Sequence, residues 1–212
     1  MKYTIIDALL DVKKKKIEAF CDERLSSGTN PYKILDELTN GLKEIGEGYR
    51  EIYFDAELMV SGWNAKKALQ ILKPLLQEEL KVEVQDKIGK VVIGSVKGDV
   101  HDIGKEIVKI MLSSDGFKVI DLGTDVDKEK YAEAVRETGA DIVAMSALLT
   151  TTREYMAEVI AYFGEEGLEV KILVGGGAVS VGFAEEIGAD AYGKDAVDAV
   201  KKAKELLHTK SF

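Results

Sequence analysis

The chain has 212 residues, 46% of them apolar and 32% charged, enough to bury a core in one large domain or two modest ones. A formal net charge of −9 argues against a nucleic-acid partner, which needs clustered Lys and Arg on one face; Cys21, the single cysteine, excludes an internal disulfide framework or a cysteine-based zinc site. No apolar run reaches the roughly 18 residues a membrane span needs, and MKYTIIDALLDVKKKK puts its lysines after the apolar stretch, the reverse of a secretory signal, so a cytoplasmic protein without a membrane partner is expected.

From Tyr3 to about Leu80 apolar residues recur at helical spacing, and four helices are predicted, consistent with a small bundle. The run Lys13 to Lys16 reads as the solvated face of an amphipathic helix with Ile6, Leu9, Leu10, Ile17 and Phe20 opposite. Asn30 before Pro31 is an N-cap followed by a first-turn proline, so a new helix starts there. Gly41, Gly46 and Gly48 are expected to interrupt the next stretch, and Asp55 opens a long helix expected to kink near Pro74.

After the polar stretch Lys81 to Lys87, short β-branched runs alternate with helical segments. The runs are Lys90 to Val96, Phe117 to Gly123, Asp141 to Ala147, Val170 to Gly176 and Ala189 to Gly193, with helices starting near Gly104, Asp127, Thr151, Val179 and Asp195. This alternation specifies a doubly wound α/β domain on a five-stranded parallel sheet, Rossmann-like or flavodoxin-like, with ligands outside the carboxyl ends of the strands. The expected division is a helical bundle over residues 1–85 and an α/β domain over 86–212.

Three strand ends carry the chemistry. The first, VKGDVHDIG, holds Asp99, His101 and Asp102; the third, MSALLTTT, offers Ser146, Thr150, Thr151 and Thr152; the fourth, VGGGAVS, has Gly175, Gly176 and Gly177 in a row, which suggests a slot. His101 is one of only two histidines, so a zinc site with three or four protein ligands is not available. One imidazole is sufficient only for a metal whose other positions are already filled, as in a tetrapyrrole-like macrocycle. Asp99 would then take the second ring N–H of His101, with Ser146 extending the relay and Asp102 capping the following helix.

Asp99-Val100-His101-Asp102-Ile103-Gly104 resembles the D-x-H-x-x-G signature of cobalamin-binding domains, with S-x-L in Ser146-Ala147-Leu148 and G-G in Gly175-Gly176 as its other parts. GEGYREIYFDAELMVSGWNAKKAL and ILKP resemble the same family's helical cap, so the likeness covers nearly the whole chain. It points to the free-standing corrinoid proteins of methyltransferase systems, which also resemble part of cobalamin-dependent methionine synthase. The resemblance implies cobalamin or a related corrinoid as cofactor, His101 as lower axial ligand to cobalt, and Asp99 and Ser146 as its relay. It also implies corrinoid contacts from Ser95, Gly98, Asp102, Ile103, Gly104, Leu148, Thr150, Gly175, Gly176, Gly177 and Ala178. Tyr53, Phe54, Leu58 and Met59 would shield the methyl-bearing face, although this chain has Asp55 where the family often has proline. Residues 81–87 would be the hinge.

The function so implied is a methyl carrier between a substrate-specific methyltransferase and a second methyltransferase that passes the group to a thiol or pterin, with a reductive activation protein as a third partner. The alternative is a corrinoid-dependent sensor or regulator. A phosphorylation-dependent receiver needs an aspartate at the end of the third strand, where Met145-Ser146 stands, and a NAD domain needs a G-x-G-x-x-G that does not follow the first strand.

Overall fold

The computed structural model describes residues 3–48, 51–78 and 88–208. The chain divides into two compact units, Met1–Val82 and Glu83–Phe212. The stretch 81–87 expected as a hinge lies outside the described residues.

Among its described residues the first unit contains four helices: α1 (Ile5–Leu9), α2 (Lys16–Ser26), α3 (Pro31–Glu47) and α4 (Asp55–Glu78). Asn30 accepts from Tyr32 N at 2.8 Å and Pro31 opens α3, as the Asn-Pro pair dictates. Ile17, Phe20, Ile34, Leu38, Leu72 and Leu76 fill the core.

Two expectations need correction here. The lysine run is not the face of one helix, because α1 ends at Leu9 and α2 begins at Lys16. Asp11 Oδ2 accepts from Lys15 N at 2.9 Å and Lys16 N at 3.0 Å, and Lys14 takes a positive φ of 57°, so the short carboxylate makes a turn where apolar spacing suggested continuity. Gly41 and Gly46 do not break α3. A Cβ on Gly41 would stand 2.8 Å from Leu9 Cδ1, so this glycine lets α1 approach closely. Pro74 lies inside α4, which runs on to Glu78, as the long helix opened at Asp55 leads one to expect.

The second unit alternates β1 (Lys90–Ser95), α5 (Ile103–Ser114), β2 (Lys118–Asp121), α6 (Lys128–Thr138), β3 (Ile142–Ser146), α7 (Thr150–Arg153), α8 (Tyr155–Glu165), β4 (Lys171–Gly175), α9 (Val181–Glu186), β5 (Ala191–Gly193) and α10 (Ala196–His208). The helix expected from Thr151 is therefore two, α7 and α8. All strand pairs are parallel, in the order β2-β1-β3-β4-β5, the flavodoxin-like doubly wound arrangement. Val92, Val143 and Val174 pack with Tyr131, Met156 and Phe183 on one face, while Val91, Ile93, Ile142 and Leu173 pack with Leu112, Ala203 and Leu206 on the other. A sheet buried on both faces needs continuous β-branched runs, which VVI and IVA provide. The order reverses between β1 and β3, and register brings Ser95, Ser146 and Gly175 side by side at the carboxyl edge. Among the described residues no helix is long and apolar enough to cross a membrane.

Candidate functional site

The loop after β1 is built around one buried carboxylate. Gly98, at φ 81°, turns the chain and donates its N–H to Asp125 Oδ1 at 2.7 Å, while Asp125 N donates to Asp99 O at 3.0 Å. Asp99 is thereby turned inward and is only 1% exposed. Its Oδ1 accepts from His101 N at 2.9 Å and His101 Nδ1 at 2.8 Å; its Oδ2 accepts from Leu148 N and Thr152 Oγ1, both at 2.7 Å. Burial, the largest single influence, pushes the Asp99 carboxyl up, but donation from Leu148, His101 and Thr152 more than offsets it and holds the group below the usual carboxylate range. Asp99 is therefore an anion that can only accept, so His101 Nδ1 is the donor of this bond, and in the neutral ring Nε2 is the nitrogen that carries the lone pair. Nε2 makes no hydrogen bond among the described residues, and the side chain is 46% exposed. Ser95 is buried and donates its hydroxyl to His101 O at 2.7 Å, holding the loop from below.

The relay differs from the expected one. Ser146 ends β3 beside Ser95, but the hydroxyl on Asp99 belongs to Thr152, the third residue of α7. Asp102 occupies the N-cap position of α5, and its carbonyl accepts from Glu106 N at 2.8 Å, but its side chain makes no capping bond. Ile103 and Gly104 form the first turn of α5 and Thr150 opens α7.

The glycine run lies against the end of β3. Gly176 has φ 113°, and a Cβ there would fall 2.2 Å from Ala147 O; one on Gly177 would fall 2.8 Å from Leu148 Cδ1. Ala178 O accepts from Arg153 Nη1 at 2.9 Å, which ties this loop to α7. Beside His101, Val100, Leu148 and Leu149 are exposed apolar side chains. In the helical unit Phe54 and Met59 are 59% and 58% exposed, so neither belongs to the bundle core; Tyr53 and Leu58 are half-buried.

A polar cluster that sequence reasoning missed adjoins this loop. Lys105 Nζ donates to Asp121 Oδ1 at 2.6 Å, Lys109 Nζ donates to Asp121 Oδ2 at 2.6 Å, and Gly123 N donates to Asp121 Oδ1 at 2.9 Å. Burial pushes Asp121 up, but the two lysines and the Gly123 amide more than reverse this and hold its carboxyl far below the usual range.

The B12 binding domain family matches residues 89–201, and a second family described as a B12 binding domain matches residues 3–73. The chain belongs to the B12-binding family. The dimethylamine corrinoid protein 3 of Methanosarcina acetivorans is 40% identical over 97% of this chain and 96% of its own length. The structure of the Methanosarcina barkeri monomethylamine corrinoid protein matches with a TM-score of 0.87 at 32% identity, covering 95% of this chain and 96% of that one. The methanol:cobalamin methyltransferase complex of Methanosarcina barkeri matches with a TM-score of 0.56 at 29% identity, over 97% of this chain and 79% of that one.

The residues present fit a corrinoid. Among the described residues no group of three or more His, Cys, Asp or Glu could hold a bare metal ion, whereas cobalt already ringed by four nitrogens requires a single outward imidazole. The exposed Val100, Leu148 and Leu149 offer an apolar surface to a macrocycle. This B12-binding chain therefore presents one nitrogen donor, one anionic acceptor that orients it, and an apolar surround.

Proposed function

We propose that this protein carries a methyl group on a corrinoid, with His101 Nε2 as the lower axial ligand to cobalt and the Asp99–Thr152 pair setting its orientation. The observation that carries this reading is a half-exposed imidazole whose Nδ1 is held on a buried carboxylate while Nε2 makes no hydrogen bond among the described residues. The corrinoid supplies a cobalt centre that accepts a methyl group and gives it up again. The chain supplies the rest. Asp99 keeps the proton on Nδ1, so the lone pair needed for ligation stays on Nε2, and carboxylate–imidazole pairing strengthens that donation. Thr152 and the Leu148 amide fix the carboxylate, and Ser95 fixes the backbone of His101.

Residues 86–212 form the corrinoid-holding domain of this proposal, with Gly98, Asp102, Ile103, Gly104, Ser146, Thr150 and the 175–178 loop as candidate contacts. The exposed apolar side chains of Phe54 and Met59, with Leu58, are candidate contacts from the helical domain, residues 1–85. A substrate-specific methyltransferase, an acceptor methyltransferase acting on a thiol or pterin, and a reductive activation protein are the proposed partners. The names of the relatives, dimethylamine and monomethylamine corrinoid proteins, put methylated amines first among the donors to assay and favour a carrier over a regulator.

The test is reconstitution with methylcobalamin followed by gel filtration and visible spectroscopy. The parent protein should retain the pigment with an imidazole-ligated spectrum, and His101→Ala should lose that spectrum while remaining folded. A parent that retains no pigment, or a His101→Ala protein with the parent's spectrum, overturns the reading.

A further inference from the structure

Lys105 stands in an unfavourable place twice over. It lies in the first turn of α5, where a cation opposes the helix dipole, and its side chain is only 2% exposed. A buried ion pair is weak evidence of stability, because desolvating two charges offsets much of their attraction, so the pair is better explained by what it positions.

Two chains of contacts lead from it to His101. Along the main chain, Lys105 is four positions after His101, so an anchor on α5's first turn fixes where the loop ends. Across the sheet, Asp121 Oδ1 accepts from Lys105 Nζ and from Gly123 N, Gly123 O accepts from Ser95 N at 3.0 Å, and Ser95 Oγ donates to His101 O at 2.7 Å. The loop bearing the imidazole is thus held at its carbonyl and at its exit through the same carboxylate.

We infer that Lys105 is a positioning residue for the axial histidine: its buried ammonium, seated on Asp121, sets the place of the His101 loop relative to Asp99. The inference rests on His101 being the ligand. Lys109 reaches Asp121 from a more exposed position, and Glu106 balances both lysines. The four charges nearly cancel, so the cluster acts as a mechanical anchor and not as a field on the cobalt.

The test uses full-length Lys105→Met with two readouts. One is the fraction of bound methylcobalamin carrying the imidazole, from its visible spectrum. The other is hydrogen exchange at the His101 and Leu148 amides before loading. Loss of the anchor should lower the ligation constant about tenfold and speed exchange at both amides about tenfold, as for other residues that orient a metal ligand. Lys204→Met removes an ion pair with Asp115, the residue following the far end of the same helix, and should change each readout less than about twofold. If Lys105→Met does not fold, Asp121→Asn, of similar volume, carries the test with the same expected direction. A folded variant with both readouts within about twofold of the parent overturns the inference, as does an equal effect from Lys204→Met. His101→Ala separates the two ideas: if it loses the ligated spectrum while Lys105→Met keeps it, only the anchor fails.

Discussion

Replacing Thr152 by valine preserves shape and removes one hydroxyl, which makes it a clean probe of the relay. The hydroxyl is one of four donors on the Asp99 carboxylate, at 2.7 Å, and Asp99 is 1% exposed, so no water replaces it without rearrangement. A hydrogen bond to a buried charge contributes about 1.5–3 kcal/mol. Thr152 Oγ1 also lies 3.0 Å from Leu149 O, so part of its donation is shared and a loss near the middle of that range, about 2 kcal/mol, is expected. For a unit of this size that corresponds to a fall in Tm of roughly 6 °C. The pH dependence gives the cause away. Asp99 is held below its ordinary value, so its ionised form stabilises the fold fully above the carboxylate range, and that stabilisation disappears as pH falls through its depressed value. The gap between parent and variant should be constant from about pH 7 to pH 5 and close below about pH 4, where both carboxyls become protonated. Urea unfolding across that range measures it. An unchanged midpoint near neutrality refutes the reasoning, and so does a gap that persists undiminished in acid.

Four further outcomes follow from the structure. Gly176→Ala places a Cβ 2.2 Å from Ala147 O at φ 113°, so thermal unfolding should show a loss of at least about 2 kcal/mol, and spectroscopy a reduced retention of corrinoid. Tyr131 is fully buried and its hydroxyl has no hydrogen-bond partner among the described residues, so Tyr131→Phe should be neutral or stabilising by about 1 kcal/mol. In that background Gly94→Ala, whose Cβ would otherwise stand 2.6 Å from Tyr131 Oη, should lose less stability than alone, as a double-mutant cycle in urea would show. Asn30→Ala should lower the stability of the helical unit by about 1 kcal/mol in the same assay, through loss of the cap on Tyr32 N.

The strand runs, the Asn-Pro start of α3 and the Asp-x-His loop were legible because each rests on local chemistry: β-branched residues in runs, a cap beside a fixed φ, a carboxylate within reach of an imidazole. What escaped depends on tertiary placement. In Thr150-Thr151-Thr152 the three hydroxyls are equivalent on paper, and only the phase of α7 decides that the third reaches Asp99. Ser146 was the obvious donor because it ends a neighbouring strand, yet its hydroxyl makes no bond to Asp99. Lys105 has the sequence appearance of a surface lysine, and its burial arises only once β2 delivers Asp121 beside α5. Asp11 carries the signal that could have ended α1 correctly, since a short carboxylate before a polar run competes with the helix for backbone amides.

Two partners of the Asp99 carboxylate, the Leu148 amide and the Thr152 hydroxyl, lie 49 and 53 residues further along the chain, across a pairing that joins β1 to β3 past an intervening strand and two helices. Such separations are late events when a polypeptide organises itself, because distant segments meet only after nearer ones have settled. A nascent chain halted before residue 152 would own the histidine but not the clasp that aims it. The setting of the His101 loop is thus tied to the pairing of β1 with β3 and to the arrival of α7, not to the stretch that carries the histidine itself.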